Sequence, residues 1–215
     1  MLIKSLIVGN MSVCCYLLVC KETKEAAVID PGGDAIMILA ELKKLGATLK
    51  LIINTHGHPD HVAENGSLKK STGAAIVMHA DDAAFFGKPE VIQYFSALGL
   101  PFSPPPDRLV KDGDVITFGK QSLKVIHTPG HTPGGICLYS KPNLFTGDTL
   151  FVGGVGRSDF PGGDGRQLFK SLTEKVLTLP NETKVWPGHG YGGQSSTIGE
   201  ERRSNPFLSD GSWAR

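Results

Sequence analysis

The chain has 215 residues, enough to bury a core of its own and to fold as a single domain over 1–215 without disulfide staples. Apolar residues make up 40% and charged residues 20%, which excludes a disordered, coiled-coil or collagen-like chain. Lysine plus arginine (22) against aspartate plus glutamate (21) leaves a net charge of +1, so neither nucleic acid nor a membrane is expected as a partner.

Residues 2–8 and 13–20 read as strands joined by a Gly9-Asn10-Met11-Ser12 turn. The second is the longest apolar stretch, and it is far shorter than the roughly 20 residues of a spanning helix. Lys4 is the sole early charge, the turn interrupts the run and no small-residue cleavage site follows, so no secretory leader is expected. A third strand at 26–30 ends at Pro31-Gly32-Gly33. Asp34 is then placed as the cap of a helix with Ile36, Leu39, Ala40 and Leu42 at helical spacing and Gly46 as its stop. Residues 49–53 form a short apolar strand suited to burial on both faces.

A polar helix to about Ser71 and a strand at 75–78 follow. In 86–106, Gly87, Pro89, Gly99, Pro101, Pro104, Pro105 and Pro106 surround Val91, Ile92, Tyr94, Phe95, Leu98 and Leu100. This segment is either a packed excursion or a flap over a site. Strands at 115–118, 122–126, 136–139 and 143–146 lead to a helix at 164–179 with Leu168, Leu172, Val176 and Leu179 on one face. A strand at 183–186 and a short helix at 197–204 complete an order that predicts two β layers with outer helices. Cys14, Cys15, Cys20 and Cys137 contain no C-x-x-C pair and are read as buried thiols, which suits a reducing cytoplasm.

The chemistry concentrates in Thr55-His56-Gly57-His58-Pro59-Asp60-His61, directly after an apolar strand. Histidine and aspartate suit zinc or iron, and clustering them without a cation would be electrostatically wasteful. In an extended loop His56 and His58 point to the same side and can share one ion, while Asp60 and His61, at a turn into a helix, can face a neighbouring one. One loop cannot close two coordination spheres. Further ligands are therefore expected at strand ends beside glycines, and Gly130-His131, Gly147-Asp148 and Gly188-His189 are such places. His79 and His127 are read as turn and strand residues with satisfied ring nitrogens.

H-x-H-x-D-H, Pro129-Gly130-His131, Gly147-Asp148-Thr149-Leu150-Phe151 and Pro187-Gly188-His189-Gly190, in this order, resemble the metallo-β-lactamase-fold hydrolases. Within that superfamily the chain is most similar to the hydroxyacylglutathione hydrolases (glyoxalase II), in a compact form. Ala27-Val28-Ile29-Asp30-Pro31-Gly32 and the run from Ile198 to Leu208 match as well. The resemblance implies an α/β fold, a four-layer αββα sandwich with mixed sheets and the metals at one edge between them. His56, His58 and His131 would hold a first divalent ion, and Asp60, His61 and His189 a second. Asp148 would bridge the two, and Asp30 would steady the histidine loop from behind. Zinc is the first expectation, and the same ligands accept iron or manganese.

Two ions about 3.5–4 Å apart can share a hydroxide that attacks an acyl carbonyl, with Asp60 as the catalytic residue that orients it. A thiolate leaves without a general acid, so the expected substrate is a small-molecule thioester of the hydroxyacylglutathione type. Arg157, shortly after Asp148, lies where the family places substrate contacts. Its guanidinium suits a substrate carboxylate or phosphate, and a salt bridge to Asp159 or Asp164 is the alternative. Only seven residues follow Leu208, so the C-terminal helical region that binds glutathione in longer members is expected to be missing. Arg157 and Asp159 also stand where those members carry a lysine and an aromatic residue. The rival reading comes from Gly156-Arg157-Ser158-Asp159-Phe160, which resembles the persulfide dioxygenases and implies a single non-haem iron held by His56, His131 and Asp148. A β-lactamase proper is set aside because Asp148 stands where one subclass often has cysteine.

Overall fold

The computed structural model describes residues 1–97, 99 and 102–208. Its first half runs β1 (Leu2–Val8), β2 (Val13–Val19), β3 (Glu25–Ile29), α1 (Ala35–Lys44), β4 (Thr48–Ile53), α2 (Pro59–Val62), α3 (Asn65–Thr72), β5 (Ala75–His79), α4 (Ala80–Phe86), α5 (Pro89–Ala97) and β6 (Arg108–Val110). The second half runs β7 (Val115–Phe118), β8 (Gln121–His127), β9 (Ile136–Ser140), β10 (Asn143–Gly147), β11 (Leu150–Phe151), β12 (Gly154–Val155), α6 (Gly165–Glu174), β13 (Lys184–Pro187), β14 (Ser196–Thr197) and α7 (Ile198–Ser204). Strands β1 to β6 form one six-stranded sheet in sequence order, and β14-β13-β10-β9-β8-β7 form a second. Both are mixed: β3 to β6 are parallel neighbours in the first, and β10 and β13 are parallel in the second.

Period-two side-chain alternation assigns the layers. Tyr16 and Leu18 of β2 face inward with Ile29, Ile53, Val77, Leu123, Val125, Leu138 and Phe145, filling the space between the sheets. Cys15, Leu17 and Val19 of the same strand face outward against Ile38 and Leu42 of α1 and Leu68 of α3. Every residue of β2 is therefore buried, the reason it reads as an unbroken apolar run. On the far side Leu144 and Val185 pack under Leu168 and Leu172 of α6 and Ile198 of α7. This is the αββα sandwich that the sequence implied. The four cysteines are free and buried, and among the described residues no helix is long and apolar enough to cross a membrane.

Three local readings are corrected. Asp34 stands at the N-cap position of α1, but its side chain does not cap the helix: its φ is +57°, and its carboxylate accepts the Gly9 N–H at 2.8 Å, which ties the first turn to the helix start. The polar helix after the histidine loop is two short helices, α2 and α3, separated by Ala63 and Glu64. The helix expected over 164–179 ends at Glu174, where Lys175 (φ −122°) leaves the helical region and Val176–Thr178 continue as a 3₁₀ turn. In the predicted excursion, α5 is a helix whose Val91 and Phe95 pack on Phe86, while Leu98, Leu100 and Pro101 lie outside the described residues.

Strands β3, β4, β8, β10 and β13 all end at one edge, because β8 and β10 both run antiparallel to β9. Contacts between the sheets close that edge. Ile136 N–H donates to the Thr55 carbonyl and Cys14 N–H to the Gly188 carbonyl, both at 2.8 Å, and the buried Tyr16 hydroxyl donates to the Pro187 carbonyl at 2.6 Å. Tyr16→Phe leaves that carbonyl without its partner. The variant is expected to lose about 1–3 kcal/mol of stability in urea unfolding, and an unchanged midpoint would show that the bond does not hold the sheets together.

Candidate metal centre

Each strand that ends at this edge delivers one part of the site. β3 supplies Asp30, β4 the loop of His56 and His58, α2 Asp60 and His61, β8 His131, β10 Asp148 and β13 His189. The fold thus brings together all seven residues read from the sequence as ligands, with Asp30 beside them. Two donor groups result. The ligand atoms of His56, His58 and His131 lie within 4.8 Å of one another, as do those of Asp60, His61 and His189. Asp148 lies between them, with Oδ2 at 3.6 Å from His131 Nε2 and 3.7 Å from His189 Nε2, and Oδ1 at 3.5 Å from His61 Nε2.

On His131, His56 and His61 the outer ring nitrogen has a partner that leaves the inner lone pair free. His131 Nδ1 donates to the Arg157 carbonyl at 2.6 Å. Asp30, with a left-handed φ of +50°, accepts from Thr55 N–H at 2.7 Å and from Thr55 Oγ1 at 2.6 Å, and its Oδ2 lies 3.1 Å from His61 Nδ1. Because the Thr55 hydroxyl proton goes to Asp30, its oxygen accepts from His56 Nδ1 at 3.1 Å, leaving His56 Nε2 as a bare acceptor. That Nε2 is buried without a hydrogen-bond partner, as are His58 Nε2, His189 Nδ1 and Asp148 Oδ1. Nitrogens also face nitrogens: His58 Nδ1 is 2.9 Å from His131 Nε2, and His61 Nε2 is 3.2 Å from His189 Nε2. The converging lone pairs, with the unpartnered His56 Nε2 and Asp148 Oδ1, are what a cation between them would satisfy. The separations of 3.2–3.5 Å among Asp60, His61 and His189 also suit tetrahedral donors at about 2.0–2.1 Å from zinc. The residues fit divalent metal ions.

The two groups differ in charge. Burial, reinforced by neighbouring histidines, pushes His56 and His58 well below the usual histidine range, and burial also lowers His131. Burial opposes charging His61 as well, yet Asp148, Asp60 and Asp30 outweigh it and raise that ring to about 10. For Asp60, burial is outweighed by His61, His189 and His58, which hold the carboxyl well below its ordinary range.

The site opens into a cavity of about 590 Å³, with His58, Asp60, His131, Asp148 and His189 at its base. Phe95, Phe151, Val152, Phe160 and Tyr191 form apolar walls. Phe95 and Phe160 each stand 5.7 Å from the His58 ring, and Tyr191 lies parallel to His189 at 4.9 Å. Sequence reasoning missed Phe160 and Tyr191 as wall residues, although each lies within a few positions of a motif it used. The guanidinium of Arg157 lines the cavity but is paired with Asp159 at 2.6 and 2.7 Å and stacked on Phe160 at 3.9 Å, whereas Asp164 caps α6. Outside the site, His79 Nδ1 accepts from Asp81 N–H at 3.2 Å, and His127 Nε2 donates to the Pro133 carbonyl at 2.9 Å. Each ring thus has one nitrogen partnered, and the two rings stack at 4.0 Å beside Asp81, which with them forms a third group of potential ligand atoms within 4.8 Å of one another.

A family model described as the metallo-beta-lactamase superfamily matches residues 8–189. The chain belongs to the metallo-beta-lactamase superfamily. Among superfamily relatives, it is 38% identical to the hydroxyacylglutathione hydrolase GloC of Haemophilus influenzae over 195 residues, 89% of this chain and 91% of that protein. It is 36% identical to the human mitochondrial persulfide dioxygenase ETHE1 over 197 residues, 90% of this chain and 70% of that one. The crystal structure of the B3 metallo-beta-lactamase BLEG-1 superposes with a TM-score of 0.88 at 33% identity, covering 97% of this chain and all of that one.

The charge difference gives a testable pH dependence. An ion entering the Asp60–His61–His189 group must displace a proton from His61, whose pKa near 10 keeps it charged at neutral pH, whereas His56, His58 and His131 are already neutral. Affinity at the His61 group should therefore fall about tenfold per pH unit of acidification below 10, while the three-histidine group stays nearly flat near neutrality. Calorimetric titration of metal-free protein in buffers of different ionisation heat should show about one proton released in one binding event and none in the other. Equal release in both would refute the assignment.

Proposed function

We propose that this superfamily member is a dinuclear metal-dependent hydrolase acting on a thioester of the hydroxyacylglutathione type. The observation that carries the reading is the presence of two full donor groups meeting at Asp148 beneath an apolar cavity. Asp60, His61 and His189 form a second donor group beyond the three ligands of the single-ion reading. The similarity to GloC along nearly the whole of both chains supports the same reaction class. We take the ions to be zinc first, with iron or manganese as alternatives accepted by the same donors. Bound ions would supply Lewis acidity and lower the pKa of water towards neutrality.

The chain's own groups do the rest. The Asp60 carboxylate, kept ionised and 3.5 Å from both His61 Nε2 and His189 Nε2, faces the cavity and can orient the attacking water. Phe95, Phe151 and Phe160 exclude bulk solvent from the acyl group, so developing charge meets a low-dielectric surrounding. A thiolate leaving group needs no protonation, which agrees with the absence of a further acid among the base residues. Arg157 is assigned to the substrate's carboxylate, exchanging its exposed partner Asp159 for it at the cavity mouth. A small-molecule substrate in the cytoplasm is part of this reading, and the four free thiols are consistent with reducing surroundings.

The second reading, persulfide oxidation at one iron held by His56, His131 and Asp148, is favoured by the Gly156–Phe160 run and by the ETHE1 relative. Turnover of S-lactoylglutathione, followed by loss of thioester absorbance, separates the two. Wild type should turn it over, and His58→Ala should lower the rate by roughly three orders of magnitude, equivalent to several kcal/mol of lost transition-state stabilisation. Oxygen uptake with glutathione persulfide in place of thioester turnover would transfer the assignment to the dioxygenase. Faster hydrolysis of a β-lactam than of the thioester would overturn both.

A further inference from the structure

Helix α4 lies across the two loops that carry the three-histidine group, and its third residue, Asp82, is fully buried. Asp82 Oδ2 accepts the backbone N–H of Gly57, between His56 and His58, and the Thr132 hydroxyl, next to His131, both at 2.8 Å. Oδ1 accepts the Gly134 N–H at 2.5 Å. Three donors from two loops thus converge on one carboxylate. No lysine or arginine is among its partners, so burial dominates and lifts its pKa to about 6 despite the three bonds. An apolar side chain there would fill the space but leave the Gly57 and Gly134 N–H groups and the Thr132 hydroxyl without this acceptor, so the carboxylate is what joins the two loops.

The glycines on both loops fit this helix. A Cβ on Gly134 would lie 2.3 Å from the Asp82 backbone nitrogen, and one on Gly57 would lie 2.3 Å from the ring of Phe86, one turn further along α4. Phe86 in turn meets the His58 ring edge-on at 5.4 Å. The Gly of His-Gly-His and the second Gly of the His131 loop are therefore the places where α4 presses closest. Asp30 serves the other side, reaching Thr55 and His61 but neither His58 nor the His131 loop.

We infer that Asp82 is a positioning residue for the His56–His58–His131 group: it fixes the distance between the His58 loop and the His131 loop, and so sets the metal affinity of that group alone. The inference rests on the reading that these histidines hold an ion. Asp30, by contrast, reaches His61 directly and His56 through Thr55, and touches neither His58 nor the His131 loop.

The test uses full-length, metal-free protein titrated with Zn²⁺ against a competing chelator, with His189→Ala, which leaves the three-histidine group intact, showing which equivalent belongs to that group. Wild type should bind two equivalents. In Asp82→Asn, whose amide offers one acceptor oxygen for three donors, the equivalent that persists in His189→Ala should weaken by about 10–100-fold, with the other unchanged. Thr132→Val removes a single bond and should weaken the same equivalent as Asp82→Asn by about fivefold, so it decides the matter if Asp82→Asn does not fold. Equal weakening of both equivalents, or of neither, overturns the inference. A wild type that binds fewer than two ions overturns the dinuclear reading beneath it, a result distinguishable because it appears before any substitution is made.

Discussion

The carboxylate of Asp30 takes two hydrogen bonds from Thr55 and faces the ring of His61, and the rest of the site depends on that convergence. It stands in the left-handed region at the end of β3, a conformation that costs about 1–3 kcal/mol for a residue other than glycine and persists only where surroundings over-determine it. Here they do. Thr55 leads directly into His56, its carbonyl receives Ile136 from the opposite sheet, and its hydroxyl passes orientation on to the His56 ring. One buried acceptor thereby couples the end of the first sheet, the histidine loop and the second sheet. The site is a property of the sandwich edge, not of the loop alone.

Crowded donors are the second constraint. Imidazoles and carboxylates placed this close in a buried setting repel through their lone pairs unless positive charge lies among them. In the metal-free protein the three carboxylates around His61 draw that charge onto its ring, whereas the His58 side has no comparable acidic cluster and stays neutral.

Much of this was legible in the sequence because strand ends announce themselves. A short apolar run stopped by glycine beside histidine or aspartate gave every candidate ligand, and the all-buried β2 was visible as an uninterrupted apolar stretch. What escaped depends on contacts between distant segments. Asp82 looks like an ordinary acidic residue at the start of a short helix, and its meaning arises only where loops 25 and 50 residues away meet it. Asp34 carried a genuine helix-start signal, yet a backbone N–H from the β1–β2 turn claimed its carboxylate first. The two readings of Arg157 could not be separated in advance, since the side chain pairs with Asp159 and still lines the cavity.

Arg157 meets the site through two separate parts. Its carbonyl accepts from His131 Nδ1, while the residue also lines the cavity. Any amino acid presents a carbonyl, so the ligand's orientation survives exchange of the side chain, and only a change in the local backbone path would disturb it. The charge presented to the cavity and the orientation of His131 are therefore separable by substitution at this one position.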